Sequence, residues 1–233
     1  MLKQKFLDDY EYLIKRIFTD KIPTAFSRYN EGEYSLITGK YFCGAGGFWK
    51  TYDHKQLLQK DLIETLNVID DGFIFGIASR QHLRANLFYK RCIKSPYKTF
   101  ATLFVNNNYK LFKKELESIK EKVVLVANSI GEGNDYPFKV KKYIPIPFDV
   151  VGYYQDNKEE ILELCQQIAN NKNKLVLFCA GPLSNIMIYE CWKFNKNNRY
   201  IDIGSTLDEY IMKRPTRNYF KEGNKTCNQI DYL

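Results

Sequence analysis

The sequence predicts an α/β fold: a Rossmann-like, mostly parallel sheet with helices on both faces, in a single domain spanning residues 1–233. Three observations carry that prediction. Short apolar runs alternate with amphipathic stretches of about 12 to 16 residues, the pattern of strand and crossover helix. Several runs end in polar or glycine-containing turns, as at Asn128-Ser129, Ala180-Gly181-Pro182 and Asp202-Ile203-Gly204-Ser205. A chain of 233 residues with 45% hydrophobic content is long enough for one large core, and no break in composition asks for a second.

Taken in order, residues 2–18 place Leu2, Phe6, Tyr10, Leu13, Ile14 and Ile17 on one helical face. Their polar face mixes both charge signs, which favours packing on the domain's own sheet over a cationic membrane-surface role. Residues 24–29 read as a short strand and 33–38 as a brief helix closed by Gly39. The stretch Tyr41-Phe42-Cys43-Gly44-Ala45-Gly46-Gly47-Phe48-Trp49 lacks the Gly-Lys-Ser/Thr of a P-loop. It reads either as a flap over a ligand or as a tight turn packed by its aromatic residues. Residues 55–69 form a second amphipathic helix and 73–78 a buried strand. Arg80, His82, Arg84, Lys90 and Arg91 follow on a helix, as an anion-facing edge or as a solvated basic face.

Residues 99–105 read as a strand, followed by a helix through Glu121 with Tyr109, Phe112, Leu116 and Ile119 inward. Residues 123–127 are the cleanest buried strand, and 143–147 another. Asp156-Asn157-Lys158-Glu159 has the form of a capping box opening a helix that ends near Asn170. Residues 175–179 form a strand, Pro182 occupies the first helical position beyond it, and 200–204 form the last strand. The polar tail, 218–233, is expected to be loosely ordered.

Composition excludes several functions. Six cysteines lack a CxxC pair or a neighbouring histidine, so zinc and disulfide frameworks are poor readings and free thiols in a reducing compartment fit best. No apolar run approaches the roughly 20 residues of a membrane span, and residues 1–5 do not open a secretory signal, so a cytoplasmic location is expected. No Gly-x-Ser-x-Gly elbow supports a hydrolase. A methyltransferase reading lacks a Gly-x-Gly loop after the first strand. The formal charge of +8 is compatible with nucleic acid, an anionic membrane or phosphorylated small molecules, and does not choose among them.

The residues with chemistry gather at turns. Glu31 and Glu33 flank Gly32, so both carboxylates can face one oxygen-preferring cation, Mg²⁺ or Mn²⁺. The same residues also suit a solvated helix start, with Asn30 as N-cap and acids in the first turn. On a parallel sheet the turns at Asn128-Ser129, Gly181-Pro182 and Gly204-Ser205 converge on one edge, where open α/β sheets bind ligands. The start of the helix at Pro182 exposes backbone N–H groups suited to phosphate. Asp202, Asp208 and Glu209 stand at or beyond the last strand, before Lys213, Arg214 and Arg217. A carboxylate there deprotonates an acceptor hydroxyl or pairs with those bases.

The segment Ser27-Arg28-Tyr29-Asn30-Glu31-Gly32-Glu33, with residues 124–128, the AGPL turn at 180–183 and Ile201-Asp202-Ile203-Gly204, resembles the GT-D type glycosyltransferases. In that family the first segment reads Arg-aromatic-Gly-Asp-Gly-Glu, and its Asp-x-Glu element supports metal and nucleotide-sugar binding. Here Asn30 stands in place of the glycine and Glu31 in place of the aspartate, which keeps the charge on a longer arm. The resemblance implies hexose transfer from a nucleotide sugar, a UDP-sugar such as UDP-glucose, to a glycan or glycoprotein hydroxyl, with no nucleic-acid partner. It implies Mn²⁺ or Mg²⁺ at Glu31 and Glu33. Arg28 matches the motif arginine, to bind the diphosphate or hold the turn. The rival reading is a non-catalytic nucleotide or nucleic-acid binding module.

Overall fold

In the computed structural model, which describes residues 2–39, 56–170 and 172–220, seven strands form one sheet in which every pairing is parallel. They are β1 (Thr24–Tyr29), β2 (Phe73–Ile77), β3 (Lys98–Phe100), β4 (Val123–Asn128), β5 (Val140–Ile146), β6 (Leu175–Cys179) and β7 (Arg199–Asp202). Their order across the sheet is β3-β2-β1-β7-β6-β4-β5, which places β1 and β7 side by side at the centre. β2 and β7 are buried along their whole length; β2 is apolar throughout, as a strand covered on both faces should be, whereas β7 carries Arg199 and Asp202 at its two ends. The glycine-rich stretch at 41–49 lies outside the described residues.

Helices α1 (Leu2–Ile14), α2 (Glu31–Ile37), α3 (Gln56–Thr65), α4 (Leu83–Cys92), α5 (Tyr109–Ser118), α6 (Val150–Ala169), α7 (Pro182–Phe194) and α8 (Asp208–Ile211) cover the two faces. One core layer joins α2, α3, α4, α6 and α7 to side chains such as Tyr29, Phe75 and Phe178. The opposite layer joins α1, α5 and α8 to Phe26, Leu125 and Ile201. Among the described residues no helix is long and apolar enough to cross a membrane.

Several boundaries differ from the sequence expectation: α2 starts at Glu31 rather than residue 33, α3 ends at Thr65 and α5 at Ser118, and β5 runs Val140–Ile146 rather than 143–147. Three further differences have a visible cause. β3 stops at Phe100, and residues 101–105 turn back beneath the sheet, with Leu103 N–H donating to Phe100 O and Val105 N–H to Thr102 O. That segment is fully buried, and apolar continuity alone does not separate a buried strand from a buried turn. α6 starts seven residues before the predicted capping box, because Asp149 accepts from the Gly152 N–H at 3.1 Å. The predicted box falls on an interior kink, where Asn157 leaves helical geometry and its amide donates to the Tyr153 carbonyl at 2.9 Å. The last strand ends at Asp202, since Gly204 turns with φ +56°. Of the predicted tail, Asn218–Phe220 forms a turn with Tyr219 buried, and 221–233 lie outside the described residues.

At the amino ends of the strands, Arg199 is 2% exposed and donates to both Glu121 oxygens, at 2.9 and 2.6 Å, and to the Ile17 carbonyl at 2.9 Å. Burial alone would raise the Glu121 pKa, but the Arg199 hydrogen bonds and charge, with Lys21, hold it below the ordinary value. A depressed folded-state value means that the pair stabilises the fold above the unfolded carboxylate pKa and is lost as pH falls through the folded one. Glu121→Ala is expected to cost about 2–3 kcal/mol at pH 7, because it strands a buried guanidinium. Urea unfolding from pH 7 down to pH 3 checks this, with a shallower loss on acidification in the variant than in the parent.

Candidate active site

Because all strands point the same way, their carboxyl ends share one edge, and a cavity of about 550 Å³ opens there. β1 delivers Arg28 to its wall and α2 delivers Glu31 and Glu33. Asn128 enters from β4 and Gly181 from the start of α7. Asp202, Gly204, Ser205 and Asp208 enter from the β7 end and the turn beyond it. The edge therefore collects nearly every predicted site residue. Ser129 and Pro182 do not line the cavity: Ser129 is exposed in a 3₁₀ turn, and Pro182 is buried.

Arg28 is 12% exposed, bridging across the sheet edge. Its Nε donates to the Ala101 carbonyl beyond β2, and its Nη1 lies 4.0 Å from Asp202 Oδ1 at the end of β7. Gly204 makes room for it. A Cβ there would lie 1.7 Å from Arg28 Nη1, and φ +56° is a conformation that only glycine adopts without strain. Asn185 of α7 fixes the end of β1, donating to Ser27 Oγ at 3.1 Å and to the Arg28 carbonyl at 2.6 Å.

The acidic turn serves two roles. Asn30 stands at the N-cap of α2, and Glu33 Oε2 accepts from the Asn30 N–H at 2.9 Å, the return arm of a capping box, while Asn30 Oδ1 is buried without a hydrogen-bond partner. Yet the turn is not simply solvated. Burial pushes the Glu33 carboxyl up to about 7, with the Asp202 and Glu31 charges adding to the rise and the backbone hydrogen bonds opposing it. Asp202 is raised to about 6 by burial, against the Arg28 charge and the Gly204 N–H, which donates to it at 2.8 Å. Glu31 Oε2 is buried without a hydrogen-bond partner and lies 3.6 Å from His82 Nε2.

The other acids divide. Asp208, raised by burial, accepts from Thr216 and keeps its place on the cavity wall. Glu209 turns away to accept from Lys113 at 2.6 Å and Tyr109 at 2.9 Å, so its role is structural. The helix-start anion site is narrower than expected. Proline removes one donor, the Ala180 N–H is taken by Ser184 Oγ, and the Ser184 N–H by the Gly181 carbonyl. Among the described residues no group of three His, Cys, Asp or Glu side chains is assembled to hold a metal.

Sequence reading missed part of the wall. Thr102 and Val105 reach it from the turn after β3, Phe148 and Val150 from beyond β5, and Arg217 and Tyr219 from the tail. Tyr219 is 8% exposed and shares a 2.6 Å hydrogen bond with Ser205. The strand-end rule applied to β2 and β5 would have pointed to Ser79 and Phe148. No local pattern marks the return of the tail.

No family model matches the chain, and no curated protein matches it. Solved structures do. One, described as the highly conserved domain of unknown function 1792 with a distinct glycosyltransferase fold, is 18% identical and superposes with a TM-score of 0.62 over 91% of this chain and 82% of that one. Another, described as a new glycosyltransferase of the same domain from Streptococcus sanguinis, is 17% identical, with a TM-score of 0.61 over 91% of this chain and 85% of that one. The chain thus has the glycosyltransferase fold of domain of unknown function 1792, as its resemblance to GT-D enzymes implied.

Proposed function

We propose that the chain transfers a hexose from a nucleoside-diphosphate sugar, a UDP-sugar in the first instance, to a hydroxyl of a glycan or glycoprotein, with Mn²⁺ or Mg²⁺ as cofactor. The observation that carries the reading is the meeting of one buried guanidinium, Arg28, with the carboxylates of Glu31, Glu33 and Asp202 in a cavity at the strand ends. The donor set fits a hard cation. Glu31 presents a buried oxygen with no hydrogen-bond partner, 3.6 Å from the His82 imidazole, and the Asp202 charge raises the cost of ionising Glu33, which a cation beside them would relieve. Such ions are commonly held by one or two carboxylates and completed by substrate phosphates, consistent with the lack of a preassembled three-ligand cluster.

When bound, the cation would supply electrostatic stabilisation of the departing diphosphate. The chain's own residues do the rest. Arg28 and the Gly181 turn bind and orient the diphosphate, with Asn128, Gly204 and Ser205 closing the wall around it. Asp208 is the proposed base for the acceptor hydroxyl, its proton affinity raised by burial. Asp202 already accepts from Gly204 and faces Arg28, so its proposed part is to hold Arg28 in register rather than to take the proton.

A thermal-shift panel of nucleoside diphosphates and nucleotide sugars, with and without Mn²⁺, tests the reading, since a ligand of the folded state alone raises Tm. The expected result is a Mn²⁺-dependent shift with one nucleotide, abolished in Glu31→Ala. A shift of equal size without metal would instead favour a non-catalytic nucleotide-binding module. Gly204→Ala is expected to displace Arg28 and to weaken nucleotide binding at least about tenfold, equivalent to one charge-assisted contact; isothermal titration reads it. Glu33→Gln in chelator-containing buffer should gain stability. With a folded pKa of about 7 above the unfolded value, ionising Glu33 costs nothing below pH 4, progressively more between, and its full penalty above pH 7. The variant should therefore melt higher than the parent at pH 8, by roughly 1 kcal/mol after screening at this part-exposed site, and the gap should close towards pH 4.

A further inference from the structure

Between Asp71 and Glu115 the chain has no acidic residue, and that stretch holds nine of its 35 Lys and Arg. The remainder carries 26 bases against 27 acids, so the whole net charge of +8 resides in this stretch. Its centre is α4. One side of the helix, Ala85, Asn86 and Tyr89, is buried. On the opposite side, at 100° per residue, Leu83, Arg84, Leu87, Lys90 and Arg91 fall within one arc. Leu83 is 55% exposed and Leu87, one turn on, 57%.

Arg80 precedes the arc and Lys94 follows it. Among the described residues, Arg80, Arg84, Lys90, Arg91 and Lys94 form no ion pair with a carboxylate. A merely solvated helix face interleaves acids with its bases, which lowers its energy by i,i+4 pairing. This face has none. Lys90 is instead held below its ordinary pKa by partial burial and by the Arg80 charge.

We propose that the outer face of α4 docks onto an anionic phospholipid bilayer, with Leu83 and Leu87 entering the interface and the surrounding cations meeting headgroup phosphates. A cationic rim around an apolar centre is the chemistry of an interfacial helix. A single-stranded nucleic-acid groove would set aromatic rings among the cations, whereas the centre of this arc is aliphatic. Ser79, Gln81 and His82, immediately before α4, line the cavity, so a bilayer held on this face lies beside it.

Co-sedimentation of the full chain with vesicles of phosphatidylcholine alone, or mixed with phosphatidylglycerol, at about 0.1 M salt, tests the docking. The expected result is binding to the anionic vesicles only, falling as salt rises. Arg84→Glu with Arg91→Glu should lower affinity at least roughly twentyfold, from about fivefold per cation at an anionic surface. Leu83→Ser with Leu87→Ser should lower it several-fold. Circular dichroism checks folding, and Lys90→Glu with Lys94→Glu is the second charge pair if the first misfolds. Absence of binding to anionic vesicles, unchanged binding in either kind of variant, or tighter binding to an RNA or DNA oligonucleotide at the same salt would overturn the proposal. Vesicle binding needs neither nucleotide nor metal, so its failure is distinguishable from failure of the transfer reading.

Discussion

The cavity depends on a positive charge largely withdrawn from water. Desolvating a guanidinium is costly, and the fold offsets this by setting beside Arg28, 12% exposed, acceptors drawn from elements far apart in sequence. Asp202 comes from β7 and the Ala101 carbonyl from the turn after β3. Only a residue at the end of a central strand can reach both sides in this way, and β1 lies between β2 and β7. The dependence is mutual. Asp202 stays near pKa 6, despite its burial among strand ends, because Arg28 and the Gly204 N–H oppose its desolvation. Gly204 in turn leaves the guanidinium its place, since a Cβ there would push Arg28 aside and strain a backbone at φ +56°.

Elsewhere the molecule follows simple rules: apolar side chains fill both layers, and the buried Arg199 has a bidentate carboxylate. The charged exceptions gather at the carboxyl edge. Glu33 serves as the third residue of a capping box, a position that usually faces water, yet here it is desolvated beside two other acids. Glu31 keeps an oxygen without a partner. Unfavourable burial of this kind persists where the surrounding frame over-determines it, and it is the feature on which the proposed cation site rests. The capping box and the cation reading are therefore compatible: the cap fixes the direction of the turn, and the turn aims the carboxylates.

Much of this was legible in the sequence because the signals are local. Buried runs such as 123–127 and 175–179 announce strands, and Asn30 followed by Glu31 and Glu33 announces an acidic helix start at a strand end. Parallel order then follows from the alternation with helices, and with it the convergence of Asn128, Gly181 and Asp202. Local signals misled where one pattern has two outcomes. Asp156 to Glu159 carries cap residues, but the preceding Asp149 starts the helix and the second signal is spent on a kink. The rest was illegible for a different reason. Contacts such as Arg28 with Ala101 or Ser205 with Tyr219 depend on which loop crosses the edge, and periodicity reports only on a residue's own element.

Net charge illustrates the same point. Spread evenly, +8 would describe a mildly basic protein and choose no partner. Concentrated between residues 72 and 114, where five of the nine bases, Arg80, Arg84, Lys90, Arg91 and Lys94, stand on or beside α4, it sets a cationic exterior there against an acidic interior at the strand ends. On the proposed reading the two act in sequence. An anionic nucleotide or membrane is drawn to the exterior, where steering raises encounter rates and falls with ionic strength. The interior then opposes the same anion, because four carboxyl groups, Glu31, Glu33, Asp202 and Asp208, face it against the two guanidiniums of Arg28 and Arg217. A divalent cation reverses that opposition. The acids that make the empty cavity costly thus become the condition of entry, so that a diphosphate is held where the cation accompanies it and not elsewhere on the basic surface.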